Sequence, residues 1–217
     1  MQSLDLFLPR ILPLVPSCPD ILARQAIVDA ASEFCEETLL IQYTCDPLSA
    51  VKGEGAYELD VPSQQNVAAI TKVWYKANSL APAAAAEIDN IMAYASGATG
   101  TTPDQGTPRV FYELTPGVAG IYPVPDTTEA SVISARIATK PTRSATSVED
   151  VLYDDWVEVI AAGALMRICA IPNKAFSNES VAAHHSAKFY QGISRATNIR
   201  IRGRLIGSMS VAPRALV

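Results

Sequence analysis

The chain has 217 residues, 49% hydrophobic and 18% charged, enough to bury the core of one or two ordinary domains, and its composition is neither fibrous nor disordered. A formal net charge of −5 argues against a generic nucleic-acid binder, which would be basic overall. The charge is uneven: Ser186–Val217 holds Lys188, Arg195, Arg200, Arg202, Arg204 and Arg214 with no Asp or Glu, so this end carries +6 and residues 1–185 carry −11, a split that directs the C-terminal end at something acidic.

The N-terminal segment Leu4–Pro16 mixes aliphatic residues with Pro9, Pro13 and Pro16. It reads as an irregular or short helical piece crossing a neighbouring surface. Ser17 is expected to cap a helix whose first turn holds Pro19 and Asp20, running to about Leu39. Ile27, Ala31, Phe34 and Thr38 fall on one stripe at helical spacing, with Arg24, Asp29, Glu33, Glu36 and Glu37 largely off it. Leu40–Cys45 is β-branched and aromatic and closes at Asp46-Pro47. Lys52–Gly55 is a turn, Ala56–Leu59 and Ala69–Lys76 are strands, and Ala83–Ala95 is Ala-rich and helix-compatible. Ser96–Pro108 reads as an exposed loop. Short strands follow at Arg109–Leu114 and Ile121–Val124, separated by Pro116-Gly117, then a longer strand at Ala130–Ala138 and a polar connector at Lys140–Thr146.

Helical spacing returns at Ser147, a candidate cap for a helix opening at Glu149-Asp150. Leu152, Trp156, Ile160, Gly163 and Arg167 form one row; Val157, Ala161, Ala164, Leu165 and Ile168 form the apolar face. Pro172-Asn173 ends this helix. Ser177 is the expected cap of the next, which carries Val181, Lys188, Phe189 and Ile193 at least to Ala196. The order predicts an α+β fold: a helical bundle formed by both chain ends with an inserted β-rich, sandwich-like subdomain. The expected division is residues 1–40 and 147–205 as the bundle domain, 41–146 as the inserted β-rich domain, and 206–217 as a C-terminal docking tail.

At two places the residues resemble a known family. Leu8–Asp20 (LPRILPLVPSCPD) followed by the A-x-x-D-A-A-x-E-F-C-E-E-T run of Ala26–Thr38, and the run Tyr153–Asn178, are similar to the head–tail adaptor, or gateway, proteins of tailed bacteriophages, of the kind called tail tubular protein A in short-tailed phages. The likeness covers nearly the whole chain. It implies a structural virion protein of the neck, made in the bacterial host cytoplasm. It further implies a dodecameric homo-oligomeric ring beneath the portal protein that continues the DNA channel and presents a platform to the next tail or nozzle protein. Tail fibres are further candidate partners, and double-stranded DNA would only pass through the lumen. It also implies that the tail around Leu205–Val217 lies on the portal and that the β region, about residues 41–140, faces outward or toward the tail.

Cys18, Cys35, Cys45 and Cys169 contain no C-x-x-C pair and do not have zinc-ligand spacing. They read as free buried thiols in a reducing cytoplasm. No basic n-region precedes an apolar run at the N-terminus, and no run reaches the length that crosses a bilayer, so no membrane partner is expected. His184 and His185 are adjacent, so on a helix they point about 100° apart and cannot readily share a ligand. Gly192–Ala196 matches a nucleophile-elbow string only faintly and in a helical context, where the elbow's strand–turn–helix setting is missing. Lys52–Gly55 lacks phosphate-loop spacing.

Glu149, Asp150, Asp154, Asp155 and Glu158 form an acidic stretch. Its default reading is a solvated helix start; Asp154, Asp155 and Glu158 are the candidates for pairing with a neighbouring subunit's arginines. Arg200, Arg202 and Arg204 alternate with Ile199, Ile201 and Leu205, and in a strand would share one face. With Leu205, Arg214 and Leu216 they are the candidates for portal docking, against a plain solubilising end or contact with channel DNA. Trp74, Tyr75 and Trp156 read as core. No catalytic, cofactor or metal residue is expected, and no enzyme activity. The alternative is a carbohydrate- or receptor-binding tail component, suggested by the β-rich middle; a small hydrolase finds only poor candidates.

Overall fold

In the computed structural model the described residues are 1–88 and 104–203, and they form a mixed α+β structure. The chain starts with β1 (Gln2–Ser3), a 3₁₀ turn (Leu4–Phe7), α1 (Leu8–Ile11) and a second 3₁₀ turn (Leu12–Leu14). The prolines keep these pieces short, since each lacks an N–H and fits only a first turn. The segment packs on the chain's own helices. Leu4, Phe7, Leu8, Ile11 and Val15 are buried in the chain's own helical core, because their side chains complete the apolar stripe of α2 (Asp20–Thr38). In α2 the predicted stripe of Ile27, Ala31, Phe34 and Thr38 is fully buried. Thr38 is tolerated there because its hydroxyl donates to the Phe34 carbonyl at 2.6 Å. Ser17 does not cap this helix: Pro19 occupies the cap position, with no side-chain hydrogen bond.

Eleven short to medium strands are described. After β1 they are β2 (Gln42–Thr44), β3 (Leu48–Ala50), β4 (Ala56–Glu58), β5 (Gln65–Tyr75), β6 (Asn78–Ser79), β7 (Ala81–Pro82), β8 (Val110–Thr115), β9 (Val118–Tyr122), β10 (Glu129–Pro141) and β11 (Ser147–Val148). One sheet runs β2-β10-β5-β6, with β3 also on β10; a second runs β4-β9-β8-β7. The two share a core in which Tyr57, Phe111 and Ile121 of one meet Val73, Tyr75, Ile133 and Ile137 of the other. Pro116-Gly117 makes β8 and β9 a hairpin, and Gly117 takes the left-handed conformation (φ +89°) that its turn requires. Lys140 belongs to β10 and not to a connector. It pairs across to Asn66 and forms an ion pair with Glu36 of α2. Of the Ala-rich Ala83–Ala95 helix, residues 83 and 84 are not helical, 85–88 are, and 89–95 lie outside the described residues, as does 96–103 of the expected loop.

Ser147 is extended in β11, paired with Ser3 of β1, so its hydroxyl caps nothing. Glu149 holds the cap position of α3 (Asp150–Asp154). The expected single helix breaks at Asp155-Trp156 and resumes as α4 (Val157–Cys169). At the break Trp156 is buried with its ring 5.3 Å from that of Phe34, a contact of the aromatic-pair kind. Asn178, one residue after the predicted Ser177, caps α5 (Glu179–Arg202) by accepting from the Val181 N–H at 3.2 Å. Helices α2, α4 and α5 and the N-terminal pieces share one core, with Phe34, Phe189, Ile27 and Ile160 fully buried. Each such side chain contributes roughly 1.5–3 kcal/mol relative to exposure.

Candidate docking surfaces on the helical bundle

The bundle carries its charges in two ways, tied down or free. Glu33 of α2, Arg167 of α4 and Tyr190 of α5 form one tied set: Arg167 donates to Glu33 and to the Gly163 carbonyl at 2.8 Å, and the Tyr190 hydroxyl donates to Glu33 at 3.1 Å. The Arg167 guanidinium lies 5.6 Å from the Phe189 ring centre. The hydrogen bond to Glu33 raises the Tyr190 phenol above its usual range, because ionising it would place two anions together. Arg167, predicted on the helix row, therefore joins three helices. Periodicity put it on the buried row but did not identify its partners, which are far away in sequence.

The acidic stretch is divided by the break between α3 and α4, so Asp154 and Glu158 are not neighbours on one continuous helix face. Asp150 pairs with the Met1 ammonium at 2.7 Å, which is held there by the β1–β11 pairing. Glu149 accepts from Gln65. Glu158 lies between Arg10 of α1 and Lys188 of α5, the latter at 3.4 Å. Asp154 and Asp155 are exposed at the end of α3. Of the three candidates for a neighbouring subunit, Glu158 and Asp155 both have interactions within the chain.

At the opposite end, α5 continues to Arg202, past the expected end near Ala196, so Arg200 and Arg202 are helical and not strand residues. Two residues apart on a helix, they point to different sides and do not share a face. Both are exposed, Ile201 between them is 64% exposed, and neither arginine has an ion pair among the described residues. Cations in a last turn suit the negative end of the helix dipole, so their position is locally favourable without a partner. Arg204, Leu205, Arg214 and Leu216 lie outside the described residues.

The groups that chemistry would need are arranged otherwise. All four cysteines are buried and free, and burial pushes the Cys35 thiol up to about 12, far from the thiolate that acts as nucleophile or ligand. The His184 and His185 rings meet edge to face at 5.3 Å. Burial, then the neighbouring His184 and Lys188, pulls His185 below its usual range, and its Nδ1 has no hydrogen-bond partner among the described residues. Gly192 is buried inside α5 against Val159, so Ser194 sits on a helix and not on a strand–helix elbow. Among the described residues no group of His, Cys, Asp and Glu is placed to hold a metal ion, and no helix is long and apolar enough to cross a membrane.

The sequence reading missed one surface. Trp74 is not core, unlike Tyr75 and Trp156. It is half-buried on the outer face of β5, between Lys72 Nζ and Arg136 Cζ, each 5.4 Å from its ring centre. The alternation Lys72–Trp74–Lys76 on one strand face carried that signal.

No curated protein matches the chain. The family model described as SU10 adaptor protein matches residues 4–213, a span that takes in the N-terminal pieces, both sheets and all three long helices. The chain therefore belongs to the SU10 adaptor protein family, a family of phage head-to-tail adaptors.

Proposed function

We propose that the protein is a structural ring component of the virion neck, beneath the portal. Copies stand side by side in a closed ring, twelve-fold by the resemblance, which continues the DNA channel and gives the next tail or nozzle protein its platform. The chain divides into a bundle domain (residues 1–40 and 147–205), an inserted β-rich domain (41–146) that faces outward or toward the tail, and a docking tail (206–217). The protein is made in the host cytoplasm, performs no turnover and holds no cofactor. Tail fibres are further candidate partners.

The observation that carries this reading is the family match across residues 4–213. Arg200 and Arg202 at the end of α5, exposed and without an ion pair among the described residues, support a docking role for this end of the chain, continuing through Arg204, Leu205, Arg214 and Leu216. Asp154, exposed at the end of α3, is an anion that a neighbouring copy's arginines would meet; Asp155 and Glu158 already interact within the chain and would have to share those contacts. Cryo-electron microscopy of particles tests the proposal. A ring under the portal with residues 204–217 against it supports the reading, and particles whose neck lacks this chain exclude it.

A further inference from the structure

The outer face of β5 and β10 holds an electrostatic cost that no carboxylate among the described residues offsets. Lys72 and Arg136 are direct cross-strand partners, and like charges placed opposite each other on antiparallel strands destabilise the pair. Trp74 lies between them at 5.4 Å from each cation, which recovers part of the cost through its ring. Lys76, farther along the strand, is satisfied by Glu129. Lys72 and Arg136 are exposed and meet no carboxylate among the described residues.

The same chain carries the inverse arrangement elsewhere. Glu58 at the end of β4 and Glu113 of β8 line an open groove with Leu114, Val61 and Val67. Leu114 is 46% exposed, and neither glutamate is paired with a cation among the described residues. Lys140, also on the rim, is committed to Glu36.

We infer that the Lys72–Trp74–Arg136 face docks on the Glu58–Glu113–Leu114 groove of a second copy. Two cations meet two carboxylates and a half-exposed indole meets an exposed leucine. The contact joins two different surfaces, so it is head-to-tail, the kind that repeats from copy to copy and closes into a ring when the rotation allows. The inference rests on the reading that copies stand side by side in the neck, and it names surfaces of the β region for that contact. Two cations on a chain of net charge −5 are too narrow a basic patch for nucleic acid.

A charge swap on the full chain tests it by sedimentation velocity at low and high salt. The wild type self-associates at low salt and dissociates as salt rises. K72E/R136E and E58K/E113K each weaken self-association about tenfold or more, through like-charge contact. An equimolar mixture of the two variants restores it, because each then offers the other a complementary surface, and a pair of misfolded variants would not. Variants that associate like the wild type, or a mixture that stays apart, overturn the assignment and leave the ring reading intact. So does a wild-type chain that stays monomeric at low salt, since the neck reading is judged separately by microscopy of particles. Binding of duplex DNA that disappears in K72E/R136E would also overturn it.

Discussion

Gly163 of α4 faces Phe189 of α5 so closely that a Cβ would stand 2.7 Å from two carbons of the ring, and 2.9 Å from the Cβ of Ala30 in α2. The three long helices meet at this point. The small residue lets α4 approach both partners, and Phe189, fully buried, fills the space.

Gly163→Ala should therefore destabilise the fold, although alanine favours helix intrinsically. The side chain it meets is a rigid ring and the other neighbour is a helix, so the helices must separate. We expect a loss of about 1–3 kcal/mol from overpacking, read as a lower denaturant midpoint with an unchanged slope. An unchanged or higher midpoint would show that the junction relaxes freely.

Cys35 makes stability fall at alkaline pH. Burial raises its thiol from 9.0 to about 12 in the folded chain. The unfolded chain thus releases this proton first, so the contribution of Cys35 to stability is constant below about pH 9 and is lost as pH rises from 9 toward 12. Cys35→Ala should remove a slope of up to about 1.4 kcal/mol per pH unit in that window, measured by denaturation at stepped pH. Consistent with burial of all four thiols, a thiol reagent should react with the native protein slowly and with the unfolded chain at four sites.

Arg200→Gln with Arg202→Gln should leave the fold intact at a cost of about 1 kcal/mol or less, because both are exposed, have no ion pair among the described residues and give up only a favourable place at the end of the helix dipole. On the proposed reading the double variant fails to co-sediment with the portal protein. Full binding by a normally folded variant would remove these two arginines from the docking surface.

Glu158→Gln removes two exposed ion pairs, to Arg10 and to Lys188. Such pairs contribute about 0–1 kcal/mol and are screened by salt. The thermal shift should be small and should shrink further in high salt. A large loss of particle assembly with that small stability change would assign Glu158 to a contact between copies.

The buried stripe of α2 was legible because helical periodicity is a local property: Ile27, Ala31, Phe34 and Thr38 are a turn apart and must share a face. The same holds for the row from Leu152 to Gly163, and for the strand character of β5 and β10. The capping residues were less legible. Ser17, Ser147 and Ser177 are all chemically suitable caps, yet Ser147 is drawn into pairing with Ser3 and Asn178 takes the place of Ser177. A cap is a competition for backbone hydrogen bonds, and the competitors are distant in the chain. The Trp74 surface was obscured for a similar reason: an indole on a strand looks like core until the sheet's inner face is known to be filled by Val73 and Tyr75.

By itself the sequence determined the α+β class, the helix–strand–helix order, the buried stripe of α2 and the separation of charge between the two parts of the chain, because all of these follow from residue chemistry and spacing within a few turns. Only the tertiary structure decided that the N-terminal pieces complete the chain's own core, that the helix breaks at Trp156 to set it on Phe34, that Glu158 is held by Arg10 and Lys188, and that Lys72 and Arg136 stand opposite each other beside Trp74. Each of these joins residues far apart in sequence, and which partner wins depends on the shape and charge of surfaces that exist only once the chain has folded.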